Sequence, residues 1–454
     1  MPDANSVLGM STTIHEPIAA MWLAGRIAER SARGIALTLA ELIRDGEVRP
    51  GSRLPTVREL AAGLSVSPTT VSEAWSALRA EQLVGTSGRR GTIVLTPPPE
   101  TRRRNGFRGW PEIDLERGLP DPALLPPLAD AVAAGSRGSR GKDDITPDLR
   151  AAVKPTWPFK PGAWTVVAGG RAGSVLGCQA VVRPGEAVAV EQPTAPHLLD
   201  TLRDARVRIV PVACDESGPL PDALAKALKE RPSAFIYQPR AQVPCGHSVS
   251  AERAAELARA LRAHGPDTVV LEDDHLGPLA AGETVSIGTH LPERVLLVRS
   301  YCHAYGPELR SCVVAGAAAL VERVRYLHGL EEAWTSRALQ NAQAFLINDP
   351  DTGVLLREAR QRYADRRAAL AKALRAEGFP VRDGDGLTLW VPVPDETRTL
   401  VTLAGRGIDL APGSRCYAVP PRTHHVRIAT GQLPDHANRI ADLAALVADA
   451  AARH

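Results

Sequence analysis

The sequence predicts an α/β protein in which a small N-terminal winged helix-turn-helix domain precedes a large domain with a mostly parallel sheet and a smaller C-terminal α+β domain. Residues 51–92 carry helix caps and apolar positions at the spacing of a helix-turn-helix followed by a hairpin. Beyond residue 160, short β-rich apolar runs alternate with helical stretches, as in parallel sheets covered by helices. The 454 residues, 44% of them hydrophobic, suit about two to four domains of about 150 residues each.

The N-terminal helices are predicted from helix-capping residues and from the spacing of hydrophobic residues. Residues 1–22 lack hydrophobic periodicity and are predicted to be a mobile tail, and a helix is expected from about Leu23 to Ile43. The next helix begins after Thr56, because Glu59 follows three residues later as in a capping box. Gly63 is expected to end that helix.

The second helix of the motif is predicted to begin after Ser67, whose hydroxyl can cap it, with Pro68 at the first helical position. Its apolar residues fall on one face, which we expect to be buried: Val71, Ala74, Trp75 and Leu78. Short hydrogen-bonding residues occupy the exposed start of this helix: Ser67, Thr69, Thr70 and Ser72. This arrangement is typical of a helix that enters the major groove of DNA.

A hairpin is predicted around Gly88–Thr92, and its tip would bring Arg89 and Arg90 to phosphates or to a minor groove. Between Trp22 and Leu95 the chain has ten arginines, seven acidic residues and no lysine, a net charge of +3. The whole chain also has a net charge of +3. Affinity for nucleic acid is therefore expected from the N-terminal domain alone.

The remaining segments predict a linker and the two further domains. Residues 96–111 are rich in proline and arginine and form an interdomain linker, which we interpret as a solvated loop rather than a DNA contact. A helix is expected at 251–265 and a long charged helix from about Asp351 to Arg375. The predicted strands are Ala187–Val190, Val207–Val212, Ala234–Tyr237, Thr268–Leu271, Val295–Val298 and Cys312–Ala315.

The stretch from Pro50 to Val94, which begins PGSRLPTVRELAAGLSVSPTTV, resembles the winged helix-turn-helix domain of GntR-type regulators nearly throughout. The resemblance implies a DNA-binding role for a set of residues: Arg53, Arg58, Ser67, Thr69, Thr70, Arg89, Arg90 and Thr92. Pro68 departs from the family, in which a basic or polar residue is common at this position, so one base contact is expected to be absent. The alternative is a helix-turn-helix used only for protein contact, which the wing arginines argue against.

Residues 112–454 resemble a fold-type I aminotransferase, and a winged helix joined to such a domain is the arrangement of the MocR type of GntR regulators. The resemblance is carried by segments that fall at strand ends, where open α/β sheets bind ligands. These segments are GLPDPALLP at 118–126, AGGRAG at 168–173, EQPTAP at 191–196, PRAQVPCG at 239–246, LEDDH at 271–275, RSYCHAYGPELR at 299–310 and VRIA at 426–429. The implied organisation is a DNA-binding domain at 23–95, a large subdomain at about 112–350 and a small one at about 351–454.

In this family the segments hold pyridoxal phosphate, but four positions facing the ring have changed. The lysine that forms the Schiff base is His303 here, and imidazole cannot replace a primary amine in that reaction. The stacking aromatic residue is Ala195 and the asparagine that meets the ring hydroxyl is Val243. A tyrosine of many relatives is His275. The sequence therefore predicts no catalytic residues, no enzyme activity, and pyridoxal phosphate binding that is at most weak and non-covalent.

The resemblance retains the outer part of the cofactor site. Asp273 matches the partner of the pyridinium nitrogen. Here its carboxylate must either be protonated or find another partner, for which His275 or His303 is the candidate. Ser300 and Arg310 match phosphate ligands, and Gly169, Gly170 and Arg171 match the turn that cradles the phosphate. Arg427 matches the arginine that holds a substrate carboxylate, although Arg310 and Arg427 could instead form ion pairs within the fold.

No metal site is predicted. Metal-ligand types surround the former cofactor pocket, but their backbone positions suit an organic cofactor: Asp273, His275, His303, Cys245 and Cys302. The other histidines and cysteines show no ligand spacing. The six cysteines lack CxxC pairs, and no apolar run approaches the roughly 18 residues that span a bilayer. We therefore expect a soluble cytoplasmic protein with unpaired thiols.

These observations lead to one hypothesis and two alternatives. The chain is predicted to be a DNA-binding transcriptional regulator whose aminotransferase-like domain forms a homodimer and senses a small ligand bearing a carboxylate or phosphate. One alternative is a pyridoxal phosphate-dependent regulator of the MocR type or an aminotransferase. The other is an architectural DNA-binding dimer without an effector.

Overall fold

The computed structural model describes residues 17–44, 46–80, 83–86, 91–95, 113–137, 141, 143–331 and 335–452. The wing tip at 87–90, the linker at 96–111 and most of the predicted tail lie outside these residues. The chain divides into two compact units. The described parts of Met1–Leu115, Val393–Pro412 and Ala445–His454 form the first, and Glu116–Pro392 with Gly413–Ala444 forms the second.

The helices and strands follow in chain order. The α-helices are α1 Ala20–Ala24, α2 Ala32–Arg44, α3 Val57–Leu64, α4 Pro68–Ala80, α5 Ala129–Ser136, α6 Pro147–Val153, α7 Gly170–Val181, α8 Pro196–Asp204, α9 Pro221–Leu228, α10 Ala251–His264, α11 Cys302–Tyr305, α12 Ala318–Glu331, α13 Arg337–Asn348, α14 Pro350–Ala376, α15 Glu396–Ala404 and α16 Ala437–Ala452. The strands are β1 Val84–Thr86, β2 Thr92–Val94, β3 Ala163–Ala168, β4 Ala187–Gln192, β5 Arg208–Asp215, β6 Gly218–Pro219, β7 Ala234–Tyr237, β8 Val269–Asp274, β9 Val295–Ser300, β10 Ser311–Gly316, β11 Thr388–Val393, β12 Ala411–Pro412 and β13 His424–Ala429.

The first unit contains the predicted winged helix-turn-helix. The Thr56 hydroxyl accepts the Glu59 amide, and the Glu59 carboxylate accepts the Thr56 amide, so the capping box at the start of α3 is confirmed. Ser67 caps α4 by accepting the Thr70 amide at 3.1 Å. The predicted apolar face of α4 is buried, and β1 pairs with β2 in the antiparallel wing.

Two local predictions about this unit were wrong. The single helix predicted from Leu23 to Ile43 is divided into α1 and α2, because the Ser31 hydroxyl accepts the Gly34 amide at 3.0 Å and starts a new helix. Gly63 does not end α3. The helix ends at Ser65, which adopts the left-handed conformation at φ 56° and thereby returns the chain toward α4.

The core of the first unit also includes α15, which lies more than 300 residues downstream of α3 in the sequence. Val401 and Ala404 of α15 belong to the same buried apolar cluster as the helices of the DNA-reading motif. The Arg33 guanidinium of α2 contacts the Glu396 carboxylate at 2.7 Å, and both side chains are largely buried. The core around the helix-turn-helix is therefore completed by a distant segment of the chain.

The second unit is built on an eight-stranded sheet of order β3-β10-β9-β8-β7-β4-β5-β6. The five strands from β9 to β5 are parallel, as predicted from runs that are apolar on both faces. The strand predicted at Cys312–Ala315 corresponds to β10, which is antiparallel to both of its neighbours. The sheet is thus mixed, and parallel strands form its centre.

The sheet topology places the ends of several strands at one edge. Because β4, β8 and β9 are parallel, their carboxyl ends meet at the same edge of the sheet. The segments that follow these strands contain Ala195, His275 and His303. No helix in the described ranges is long and apolar enough to cross a membrane.

Candidate functional site

The first candidate surface lies at the start of α4. Ser67 and Thr69 are exposed and Thr70 is half-buried, and the Ser67 and Thr70 hydroxyl oxygens are 2.8 Å apart. Arg58 is exposed in the first turn of α3. Short hydroxyl side chains at an exposed helix start, together with a guanidinium on the preceding helix, suit contacts with base edges and phosphates.

The wing lies beside this motif in the same unit. The backbone of Arg53 forms a β-bridge with Ile93, and the Arg53 side chain is exposed and near Gly91. Thr92 is half-buried in β2. Arg89 and Arg90 fall at 87–90, outside the described residues, so their DNA contacts stay a prediction.

The second candidate site is a cavity of about 320 Å³ at the carboxyl edge of the large sheet. Its walls include eight of the residues predicted for the former cofactor pocket: Gly170, Arg171, Ala195, Val243, His275, Ser300, His303 and Arg427. The other lining residues are Gly118, Leu119, Ser174, His197, Leu276, Leu387 and Thr388. None of the described lysines is among them.

Asp273 lies behind the cavity wall with both carboxylate oxygens occupied. The Ser174 hydroxyl donates to one oxygen and the Gln238 side-chain amide donates to the other, each at 2.9 Å. The His197 Nε2 atom is 3.9 Å from the second oxygen. The predicted partners, His275 and His303, are therefore replaced by Ser174 and Gln238. Burial raises the pKa of Asp273, and the nearby His197 opposes this shift.

The orientation of the Gln238 side chain determines that the His275 Nδ1 atom is a hydrogen-bond acceptor. The Val243 amide donates to the Gln238 Oε1 atom at 2.8 Å, so the Gln238 nitrogen must face Asp273. That nitrogen is also 3.2 Å from the His275 Nδ1 atom. Because an amide nitrogen donates, Nδ1 accepts this hydrogen bond. The His303 Nδ1 atom donates to the His275 carbonyl oxygen at 3.1 Å, because a carbonyl can only accept.

The three histidines that line the cavity are neutral near pH 7. Burial lowers the pKa of His275 to about 3, and repulsion from a protonated His303 ring would add to this shift. Burial likewise lowers the pKa of His303 and of His197. The positive charge of the cavity therefore comes from arginine.

Arg171 and Arg427 supply this charge. Both line the cavity, and the charge of each contributes to lowering the pKa of His197. An Arg427 terminal nitrogen donates to the Glu116 carbonyl oxygen at 3.0 Å. Its Nε atom is buried without a hydrogen-bond partner among the residues that the structure describes. Such a buried donor suits an anionic ligand.

The predicted phosphate cradle is partly formed. Gly169, at φ 97°, precedes the twelve-residue helix α7, whose N-terminus opens on the cavity at Gly170. A Cβ atom on Gly170 would lie 2.6 Å from the Ser300 hydroxyl, so this close approach requires glycine. Arg310 does not line the cavity. Its side chain is exposed and its guanidinium is 3.5 Å from the Ala168 carbonyl oxygen.

Sequence reasoning missed Ser174, His197 and Gln238, which organise the back of the cavity. His197 follows Ala195 by two residues at the start of α8, so its position after a parallel strand was a signal that could have been used. Gln238 immediately follows β7 and offered the same signal.

Comparison with protein families finds two matches along the chain. Residues 31–94 match the family described as bacterial regulatory proteins, gntR family. Residues 115–441 match the family described as aminotransferase class I and II. The second match covers more than two thirds of the chain.

Comparison with individual proteins finds regulators of similar length. The vitamin B6 salvage pathway transcriptional repressor PtsJ of Salmonella typhimurium is 32% identical over 413 residues, which cover 89% of this chain and 95% of that protein. The pyridoxine biosynthesis transcriptional regulator PdxR of Corynebacterium glutamicum is 24% identical and covers 82% of this chain and 85% of its own length.

Among solved structures, the Pyrococcus horikoshii kynurenine aminotransferase superposes with a TM-score of 0.67 at 20% identity, covering 74% of this chain and 89% of that one. The Thermus thermophilus aspartate aminotransferase with maleate gives a TM-score of 0.65 at 21% identity. The superposition covers 77% of this chain and 94% of that one. These similarities show the aminotransferase fold.

Proposed function

This chain belongs to the MocR type of GntR transcriptional regulators, and from this premise we propose that its aminotransferase-like domain senses a small anion without covalent pyridoxal phosphate. The domain would transmit the state of its cavity to a DNA-binding unit rather than catalyse transamination. We further propose that it acts in the cytoplasm, in keeping with six free cysteines.

The residues of the cavity do not fit covalent pyridoxal phosphate. His303 occupies the position of the family lysine, and its ring is already used in a hydrogen bond to the His275 carbonyl. Ala195 offers no ring for stacking and Val243 offers no side-chain donor. Asp273, the family partner of the pyridinium nitrogen, accepts hydrogen bonds from Ser174 and Gln238.

The observation that carries the proposal is the charge of the cavity. Arg171 and Arg427 line it, the three histidines are neutral, and the N-terminus of α7 opens on it beside Ser300. A ligand bearing a carboxylate or a phosphate would meet two guanidinium groups and a helix N-terminus.

A second candidate is a non-covalent sensor of a phosphorylated form of vitamin B6. The printed names of the relatives PtsJ and PdxR connect those proteins with vitamin B6 salvage and pyridoxine biosynthesis. Here the α7 N-terminus and Ser300 are available for a phosphate. The two candidates share anion recognition and differ in whether the ligand has a pyridine ring.

The test of sensing is isothermal titration calorimetry of the full-length protein with dicarboxylates, phosphate monoesters, amino acids and pyridoxal phosphate. We expect an anion to bind, and Arg427→Ala to weaken binding at least about tenfold, because charge-assisted hydrogen bonds contribute about 1.5–3 kcal/mol. Arg259→Ala, an exposed change on α10, is the matched control and should have no effect.

The outcome of this titration separates the alternatives. Binding of none of these anions would contradict sensing and favour an architectural DNA-binding dimer. Equal loss of affinity in the Arg427 and Arg259 variants would place the anion outside the cavity. Binding restricted to pyridoxal phosphate would favour the sensor of phosphorylated vitamin B6. Catalytic turnover of an amino-group donor would show that the protein is an enzyme.

We also propose that the protein is a homodimer that reads two half-sites. Fold-type I domains form two-fold dimers, and a two-fold protein matches a two-fold operator. Between Tyr326 and Leu355, five large apolar side chains are exposed in the described chain: Tyr326, Leu330, Phe345, Val354 and Leu355. Apolar exposure of this kind is typical of an association surface.

Sedimentation equilibrium at micromolar concentration, without DNA, is expected to give twice the monomer mass. Tyr326→Glu combined with Leu330→Glu should shift the protein toward the monomer, whereas Val419→Glu, at another exposed apolar residue, should not. A monomeric native protein would contradict the proposed assembly.

A further inference from the structure

Three potential metal ligands from separate segments of the chain meet inside the second unit. Glu191 lies in β4, Cys214 in β5, and His247 in the loop after β7. One donor atom from each lies within 4.8 Å of the other two. The residues are far apart in the sequence and have no ligand spacing, so sequence reasoning could not find the cluster.

The cluster is buried and its polar atoms are incompletely paired. Glu191 is fully buried, and His247 is 6% exposed. Among the described residues, the Glu191 Oε2 atom and both ring nitrogens of His247 have no hydrogen-bond partner. The His247 Nε2 and Glu191 Oε2 atoms are 3.6 Å apart. Buried polar atoms without hydrogen-bond partners are costly, so this cluster is a candidate ligand site.

We propose that Glu191, Cys214 and His247 bind a divalent metal ion of the zinc class. One carboxylate, one thiolate and one imidazole are all accepted zinc ligands. Two donors each about 2.1 Å from a tetrahedral ion lie about 3.4 Å apart, which is close to the observed 3.6 Å between His247 and Glu191. The site is distinct from the anion cavity, and its existence does not depend on the proposed sensing function.

The fourth position of the ion faces a second cavity. Cys214, His247 and Cys245 line this cavity, which has a volume of about 700 Å³. A site with three protein ligands and one open position can bind water, a further thiol or an exogenous ligand.

The Glu191 carboxylate also connects the two cavities. Its Oε1 atom accepts the Gln238 backbone amide at 2.8 Å, and the Gln238 side chain donates to Asp273 behind the anion cavity. Hydrogen bonds of this kind orient a metal-binding carboxylate. Metal binding at Glu191 would therefore restrain Gln238, whose side chain contacts Asp273 and His275.

A thiol binds zinc as a thiolate, so Cys214 must lose its proton when the metal binds. The affinity for the metal is consequently expected to fall as the pH is lowered.

The test uses the full-length protein after treatment with a chelator. We expect Co²⁺ to bind with one equivalent per chain and to produce thiolate-to-cobalt charge-transfer absorption, and Zn²⁺ to displace it. Cys214→Ser should abolish the charge-transfer band and weaken Zn²⁺ binding at least about tenfold. Cys302→Ser is the matched control outside the cluster and should behave like the native protein.

His247→Gln provides a second variant in case Cys214→Ser does not fold, and circular dichroism of both reports folding. It should keep the charge-transfer band but weaken binding at least about tenfold. Absence of cobalt absorption and of zinc binding in the native protein would overturn the proposal and leave a buried histidine–glutamate pair. Unchanged affinity in both folded variants would also overturn it.

Discussion

Three simultaneous changes, His303→Lys, Ala195→Tyr and Val243→Asn, are expected to create tight covalent binding of pyridoxal phosphate. The changes supply the amine, the ring stack and the donor that the family uses. Each missing contact should account for about 1–3 kcal/mol, so we expect their combined absence to weaken cofactor affinity by several powers of ten. All three native residues line the same cavity, next to the Ser300 hydroxyl and the N-terminus of α7.

His303→Lys alone should not be sufficient, because Ala195 and Val243 still provide neither stacking nor a hydrogen bond. The lysine also replaces a ring that donates to the His275 carbonyl. The measurement is cofactor retention after borohydride reduction, read by mass spectrometry. The double variant Ala195→Tyr with Val243→Asn is the control, and it should bind the cofactor without covalent retention. Tight binding by the native protein, or full rescue by the lysine alone, would contradict this interpretation.

Arg58→Ala and Thr70→Ala are each expected to weaken binding to a specific operator by about 1–3 kcal/mol, or about 5- to 150-fold. Arg58 is exposed at the start of α3, and Thr70 lies in the first turn of α4. Loss of either removes a groove or phosphate contact while the apolar core stays intact. The measurement is fluorescence anisotropy with a duplex selected from random DNA.

Arg79→Ala is the control, because Arg79 lies at the opposite end of α4 and donates to the Ser76 hydroxyl. It should leave specific binding nearly unchanged. Arg89→Ala, in the wing, should weaken specific and non-specific DNA alike and reduce the salt dependence of binding. Native affinity in the Arg58 and Thr70 variants would rule out this docking of the recognition helix.

The sequence predicted the DNA-reading motif well because its signals are local. The Thr56 and Glu59 cap and the Ser67 cap each involve residues three positions apart, which the sequence displays directly. Gly63 was misread because glycine tolerates both a helix interior and a helix end, and Ser65 takes the left-handed conformation instead. The break between α1 and α2 depends on the Ser31 cap, which periodicity alone does not register.

The candidate cavity was predicted in part, because the resemblance located its walls but not the contacts behind them. The hydrogen-bond donors to Asp273 are Gln238 and Ser174, from two other segments of the chain, and not the predicted His275 or His303. The same limit applies to Glu191, Cys214 and His247, which only the pairing of strands brings together. The family motif predicted Arg310 as a phosphate ligand. In the structure Arg310 lies in an exposed turn, and its side chain does not line the cavity.

The packing of α15 against the DNA-reading motif has a consequence for how the protein is made. Chains are synthesised at about 5–20 residues per second, so roughly 20–70 seconds separate the emergence of α3 from that of α15. During this interval the face of α2 that Val401, Ala404 and Glu396 later cover has no partner from that helix. A nascent chain therefore acquires the complete core of its winged helix-turn-helix unit only after nearly all of the second unit has been translated.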